Sequence, residues 1–267
     1  MAGFFLPINV MWKTSILRLK DDRNVLNFMY NFPFLTILLF SIVPAKGQFF
    51  DQTNKFLLEN VNAGKVDYNK LKRDSTDLKI LINMIKNERL DNQTDNYKLA
   101  FYINSYNLLV IHQITSRYPV SSPMDITGFF KQNKFVVAGE QLTLDELEFD
   151  KLTNEYKDPR IHFALGCAAL SCPFLYDNAF TPEHVEEQLK FRAQLIIDRP
   201  NYIEVDEKNK IIFMNKIFEW YQGQFSFNAG SLINFVNKYR FYKVPHDYEI
   251  KFIEYDWSLN DDNLAKG

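Results

Sequence analysis

Little in this 267-residue chain advertises a ready-made reaction. It contains no glycine-rich phosphate loop, dinucleotide fingerprint, H-E-x-x-H or G-x-S-x-G. Nucleotide-dependent, zinc-protease and serine-hydrolase chemistry therefore have no motif to rest on. Its basic residues form no block or stripe, so nucleic-acid binding, which needs neutralised phosphates, has no support. No internal repeat, low-complexity tract or Gly/Ser/Pro linker follows residue 48. One domain over residues 48–267 is the simplest organisation. Cysteine is the scarcest informative residue: Cys167 and Cys172 are the only two. They are spaced C-x4-C, not the C-x-x-C of thioredoxin-like redox pairs.

The chain also lacks an apolar run long enough to span a membrane, which takes about 20 residues. Its longest such run, Phe32 to Val43 (FPFLTILLFSIV), suits the h-region of a secretory leader. Lys13, Arg18, Lys20 and Arg23 precede it, and Ala45-Lys46-Gly47 offers a cut before Gln48. Residues 1–47 read as a signal peptide whose true start is Met1 or Met11. A retained N-terminal anchor is the alternative. Without those residues 26 basic and 31 acidic side chains remain. The expectation is an exported protein, periplasmic or extracellular, with no stable membrane span after leader removal, in a compartment where disulfides persist.

What is present is an ordinary globular composition, 46% hydrophobic and 24% charged, with an aromatic content of 16% that promises a core built around rings. The 3.6-residue period predicts helices over 49–61, from Ser75 or Thr76, and over 95–117, the last stopped by Tyr118-Pro119. Residues 134–138 and 141–143 around Gly139-Glu140 read as a hairpin, as do 202–205 and 211–214. Thr143 and Glu146 form a capping-box pattern that starts a helix. Thr181-Pro182 predicts another helix, running to about Ile197. Ile161–Leu165, an uncharged apolar run, reads as a central strand. Helices near 218–221 and 231–239 precede a last strand over 248–255. The fold class is α+β: helices around a mixed or antiparallel sheet with two hairpins.

Four segments resemble the DUF547 family, a domain of unknown function: Phe101–Asn107, Gly139–Glu148, Asp158–Pro173 and Tyr255–Asn260. The resemblance runs over roughly residues 60 to 260. It implies the family and an exported setting, since bacterial members commonly look exported, but no activity. This chain has Gly166 where similar proteins usually show a polar residue.

The densest chemistry lies in Asp158–Pro173. Cys167 at the mouth of a strand, with His162 as its base, would make a thiol nucleophile of the kind that forms acyl intermediates. The two meet only if the chain turns at Gly166, because residues five apart on a strand face opposite ways. Asn104 and Asn107 share a helix face. Either one orients the imidazole, or both bridge to loop backbone, since a buried unsatisfied amide costs about 1–3 kcal/mol. The bland reading of the cysteines is a Cys167–Cys172 disulfide that pins the loop, worth about 2 kcal/mol for so small a ring. His162, Cys167, Cys172 and His184 lack the spacing of known zinc modules, so no metal and no cofactor are expected. His112 reads as a core histidine. Arg160, Glu148 and Trp257 are weaker candidates for substrate contact, with Asp158 and Arg160 forming either an ion pair or an anion clamp.

Two functions stay open. One is a cysteine-dependent hydrolase or acyl-transferase acting on envelope peptides, with Cys167 as nucleophile, His162 as base and Asn107 or Asn104 as orienting amide. The other is a non-enzymatic module, stapled by the disulfide, that binds an unknown peptide or small-molecule ligand.

Overall fold

The computed structural model describes residues 47–262. The hydrophobic segment of the expected leader lies outside them. Among the described residues no helix is long and apolar enough to cross a membrane.

The chain begins with α1 (Gln48–Asn60), a small ladder of β1 (Val61–Asn62) and β2 (Lys65–Val66), then α2 (Tyr68–Arg73), α3 (Thr76–Asn87) and α4 (Asp95–Arg117). Helix α4 is the axle of the first core: fifteen of its residues are buried, and Leu99, Phe101, Ile103, Leu108 and Ile114 pack against α1, α2 and α3. Thr94 caps its N-terminus by accepting from the Tyr97 N–H, which supplies one of the donors a helix start leaves unpaired. Tyr118-Pro119 ends it, since the residue before proline is pushed out of helical geometry.

The first hairpin pairs β3 (Phe135–Val137) with β4 (Glu140–Leu142) through Ala138-Gly139, and both turn residues have positive φ. Thr143 and Glu146 then form the expected reciprocal capping box at the head of α5 (Leu144–Glu148). One π-helical turn, Phe149–Thr153, leads into α6 (Asn154–Tyr156). Helix α7 (Val185–Ile197) joins the first core to a second. That second core is built on β5 (Ile203–Asp206), β6 (Ile211–Asn215), α8 (Lys216–Trp220), α9 (Gln222–Phe227), α10 (Leu232–Tyr239) and β7 (Glu249–Ile253). β5 and β6 form the second expected hairpin, and β7 lies parallel to β6.

The structure corrects three expectations. Instead of one sheet wrapped by helices, the described strands form three separate small sheets of two, two and three strands. Ile161–Leu165 is not a strand: Pro159–Phe163 winds into a 3-10 helix. Asp158 caps that turn by accepting from the Arg160 N–H, and Pro159 sits at its first position, where a missing N–H costs nothing. Short apolar runs are ambiguous between helix and strand, and here the cap decides. Finally, α7 starts at Val185, not at Pro182. Gln188 reaches back to the Thr181 N–H and the Ala179 carbonyl, while the Thr181 hydroxyl has no partner.

Candidate active site

Three pieces of backbone converge on a cavity of about 260 Å³. The first is the end of α5. Its last residue, Glu148, is buried, and the π-helical turn that follows loosens the winding just where this side chain enters the cavity; such turns frequently accompany functional sites. The second is the 3-10 helix, which fixes His162 with 5% of its surface exposed. The third is the loop Ala164–Phe174, which carries both cysteines.

The imidazole of His162 is held on both edges and one face. Its Nε2 lies 2.8 Å from Gln224 Oε1 of α9, so Nε2 carries a proton in this arrangement. Its Nδ1 faces Glu148 Oε1 at 3.5 Å. The Tyr221 hydroxyl donates to the same Glu148 oxygen at 2.9 Å. The Tyr221 ring also stacks on the imidazole, with centroids 3.7 Å apart. A protonated ring therefore finds an acceptor beside each nitrogen.

The cysteine loop is pinned along its length. Asn107 on α4 donates to the Ala164 carbonyl (2.9 Å) and accepts from the Gly166 N–H (2.8 Å). A side chain at Gly166 would crowd Leu175, whose Cδ1 would lie 3.2 Å from the added Cβ. Arg192, almost fully buried on α7, donates from Nε to the Phe163 carbonyl (3.1 Å) and from Nη2 to the Phe174 carbonyl. It thus ties the two ends of the segment together. Tyr202 donates to the Cys172 carbonyl and accepts from the Phe174 N–H. The segment after β7 crosses the loop: Leu170 and Ser171 N–H groups bond to the Ser258 and Asp256 carbonyls, and the Asn260 N–H bonds to the Ala168 carbonyl.

Within this frame the sulfurs are unlike. Both are free thiols. Cys172 is buried; its sulfur accepts from the Cys167 N–H (2.8 Å) and its thiol donates to the Leu165 carbonyl (3.7 Å). Burial above all, then the neighbouring Cys167 sulfur, push its pKa well up. Cys167 is half-buried and lies 3.2 Å from the Tyr255 hydroxyl. Burial, the largest influence, works against its thiolate, but its contacts with Cys172, the Tyr255 hydroxyl and the Ala169 N–H together hold its pKa below the ordinary thiol value. Cys167 is the member of the pair suited to ionise.

His162, Glu148, Cys167, Cys172 and Trp257 all line this one cavity. His162 and Cys167 are not hydrogen-bonded to each other: the imidazole nitrogens face Gln224 and Glu148, and the sulfur faces Tyr255. The expected pair thus shares one cavity without a hydrogen bond between its members. Neither asparagine is hydrogen-bonded to the ring. Asn107 clamps the loop backbone, and Asn104 pairs with both backbone groups of Phe180. The amide beside the imidazole is Gln224.

Arg160 also falls elsewhere. It is bound by Asp158 and by Glu186 (2.7 Å) and borders a different depression. His112 packs near Phe135; burial, then Lys79, push its pKa down. Among the described residues no three His, Cys, Asp or Glu side chains are grouped to hold a metal ion. Sequence reasoning missed Tyr106, Trp220, Tyr221 and Gln224, all placed by tertiary packing with no local motif to mark them.

Residues 90–195 match the model of a family described as "Protein of unknown function, DUF547". The resemblance read over about residues 60–260 is thus shown over this shorter stretch, which contains Glu148, His162 and both cysteines but not Tyr221, Gln224, Tyr255 or Trp257. No curated protein and no solved structure matches the chain.

Proposed function

We propose that the stretch matched by DUF547 supplies the reacting groups of a cysteine-dependent hydrolase or acyl-transferase. The observation that carries this reading is the asymmetry of the thiols. Cys167 is half-buried and opens to the cavity 3.2 Å from the Tyr255 hydroxyl, while Cys172 beside it is buried with its thiol on the Leu165 carbonyl. A shared cavity also contains an imidazole braced by a carboxylate, a phenol and an amide, the generalised pattern of an activated nucleophile with an oriented acid–base group.

The chemistry divides between Cys167 and His162. Cys167, having lost its proton to solvent, attacks the carbonyl carbon of an ester or amide, and the carbonyl electron pair moves to oxygen. Collapse of that adduct breaks the bond to the leaving group, which takes a proton from His162 and leaves a thioester on Cys167. Water, or an amine or hydroxyl acceptor, then attacks the thioester, gives its proton to His162 and releases the Cys167 thiolate. His162 serves the substrate and not the thiol. Its Nδ1 contact to Glu148 is long for a hydrogen bond and is the one a leaving group can take over. Glu148, Tyr221 and Gln224 are positioning residues. If residues 1–47 are an export leader, peptides of the cell envelope are the substrates within reach.

Site-resolved alkylation with iodoacetamide across a pH series, with and without reductant, tests this. The expected result is labelling of Cys167 without reductant, with a midpoint below that of an ordinary thiol, while Cys172 stays unlabelled in the folded protein. Labelling of both sulfurs only after reduction sinks the nucleophile. It would leave a binding module stapled by Cys167–Cys172, a reading favoured by the closeness of the Cys167 N–H to the Cys172 sulfur.

A further inference from the structure

The cavity around Cys167 has a one-sided inventory. Six rings line it: Tyr106, Phe130, Trp220, Tyr221, Tyr255 and Trp257. Trp220, Tyr255 and Trp257 touch one another at centroid distances of 4.7, 4.7 and 5.9 Å, and Phe130 extends the wall at 6.3 Å from Trp257. The wall is not sealed, since Trp220 keeps 46% of its surface exposed. The lining holds the carboxylates of Asp145 and Glu148 and the imidazole of His162, with no lysine or arginine among them. Glu148 is engaged by Tyr221 and His162. Asp145, at the start of α5 and half-buried, differs: among the described residues its carboxylate has neither a hydrogen bond nor an ion pair. Burial and then the nearby Glu148 push the Asp145 carboxyl above its ordinary range, with Lys131 opposing weakly.

We infer that the cavity selects substrates carrying an alkylammonium group, which seats on the Trp220–Tyr255–Trp257 rings and beside Asp145. The inference deepens the proposed function and rests on its reading of this cavity as the substrate site. Aromatic faces carry negative potential and attract ammonium groups within about 6 Å of the ring centre. A partly dry carboxylate without a partner adds to that attraction and repels an anion of equal size. A neutral apolar ligand would be satisfied by the rings alone and would leave Asp145 facing it uncompensated. Peptides with a free amino group are the substrate class that uses both features.

The test uses the full chain and two size-matched probes, phenyltrimethylammonium and benzoate. Trp220 and Trp257 are two of only three tryptophans, so intrinsic fluorescence reports this wall. The expected result is a saturable change with the cation and binding at least about tenfold weaker with the anion, in line with cation–π and single-charge magnitudes. Asp145→Asn is expected to weaken the cation several-fold and to narrow the ratio. Equal affinity for the two probes, no binding of the cation, or an Asp145→Asn variant identical to the parent overturns the inference. Alkylation of Cys167 in the same samples separates the two ideas. Retained selective labelling with no cation preference removes the substrate class but not the nucleophile, whereas cation binding with no labelling removes the nucleophile alone.

Discussion

Asn107 supports the cysteine loop with one side chain that donates to the Ala164 carbonyl and accepts from the Gly166 N–H, with 3% of its surface exposed. Asn107→Asp keeps the shape and reverses one half of the function. An aspartate oxygen can still accept from Gly166, but the other oxygen now meets the Ala164 carbonyl, acceptor against acceptor, unless it is protonated. Leaving a buried carbonyl unpaired costs about 1–3 kcal/mol, and burying an ionised carboxylate without a cation costs more. The variant should therefore lose about 3–5 kcal/mol at pH 7. The group avoids part of this by keeping its proton, so its folded pKa lies above its unfolded value of about 3.9. The folded state then binds more protons than the unfolded state between those two values, and stability falls as pH rises through that window. At pH 4 the protonated acid donates to Ala164, as the amide did, and the deficit should shrink to about 1–2 kcal/mol. Urea titrations of variant and parent at pH 4 and pH 7 read this directly, provided the slopes match. A deficit of equal size at both pH values would refute the clamp, as would a variant as stable as the parent at pH 7.

Other outcomes follow from the same contacts. Tyr255→Phe removes a hydrogen bond that favours the Cys167 thiolate, whereas Glu148→Gln removes a negative charge that disfavours it. Alkylation midpoints should move up in the first and down in the second, and movement in the same direction would contradict the site's electrostatics. Arg192 has no carboxylate within salt-bridge distance among the described residues. Its Nη1 is unpaired, and burial pulls its pKa down to about 10. Arg192→Met relieves that buried charge but strands the Phe163 and Phe174 carbonyls, so thermal unfolding should show a net loss of only about 1–3 kcal/mol, with Cys172 becoming reactive to alkylation. Unaltered Cys172 protection would argue against the strap. Gly64 adopts φ +84°, and a Cβ there would lie 2.5 Å from Phe174 Cβ. Gly64→Ala should cost more than the roughly 1–2 kcal/mol of the left-handed backbone alone, measured by urea unfolding, and a smaller loss would mean the loop yields.

What the sequence disclosed follows the range of the forces involved. Helix α4, both long hairpins and the Thr143–Glu146 capping box are written in neighbouring residues, and their bounds were legible within a residue or two. Cys167 and His162 stood out because the chain has only two cysteines and four histidines, and Glu148 because the capping box had taken Glu146. The partners that decide their chemistry were not visible. Gln224 and Tyr221 reach the site from α9 and the α8–α9 junction, and nothing local distinguishes them from core residues. The apolar run after Asp158 read as a strand, whereas Asp158 and Pro159 start a 3-10 helix there. The amides of α4 were correctly marked as needing partners, but spacing on a helix says only which face they occupy, not what faces them.

The crossing of the cysteine loop by Asp256–Asn260 has a bearing on biosynthesis. One wall of the thiol pocket is the ring of Tyr106 and another the ring of Trp257, so closing it needs partners far apart in the polypeptide, a slow kind of closure. A nascent chain that has emerged only as far as β7 already owns both sulfurs and the imidazole, yet lacks the Tyr255 phenol and the Trp257 indole. The cavity around Cys167 is therefore complete only once residue 257 is in place. A protease that clipped the chain just beyond Ile253 would remove Tyr255 and Trp257 from the cavity and Leu259 from the first core together.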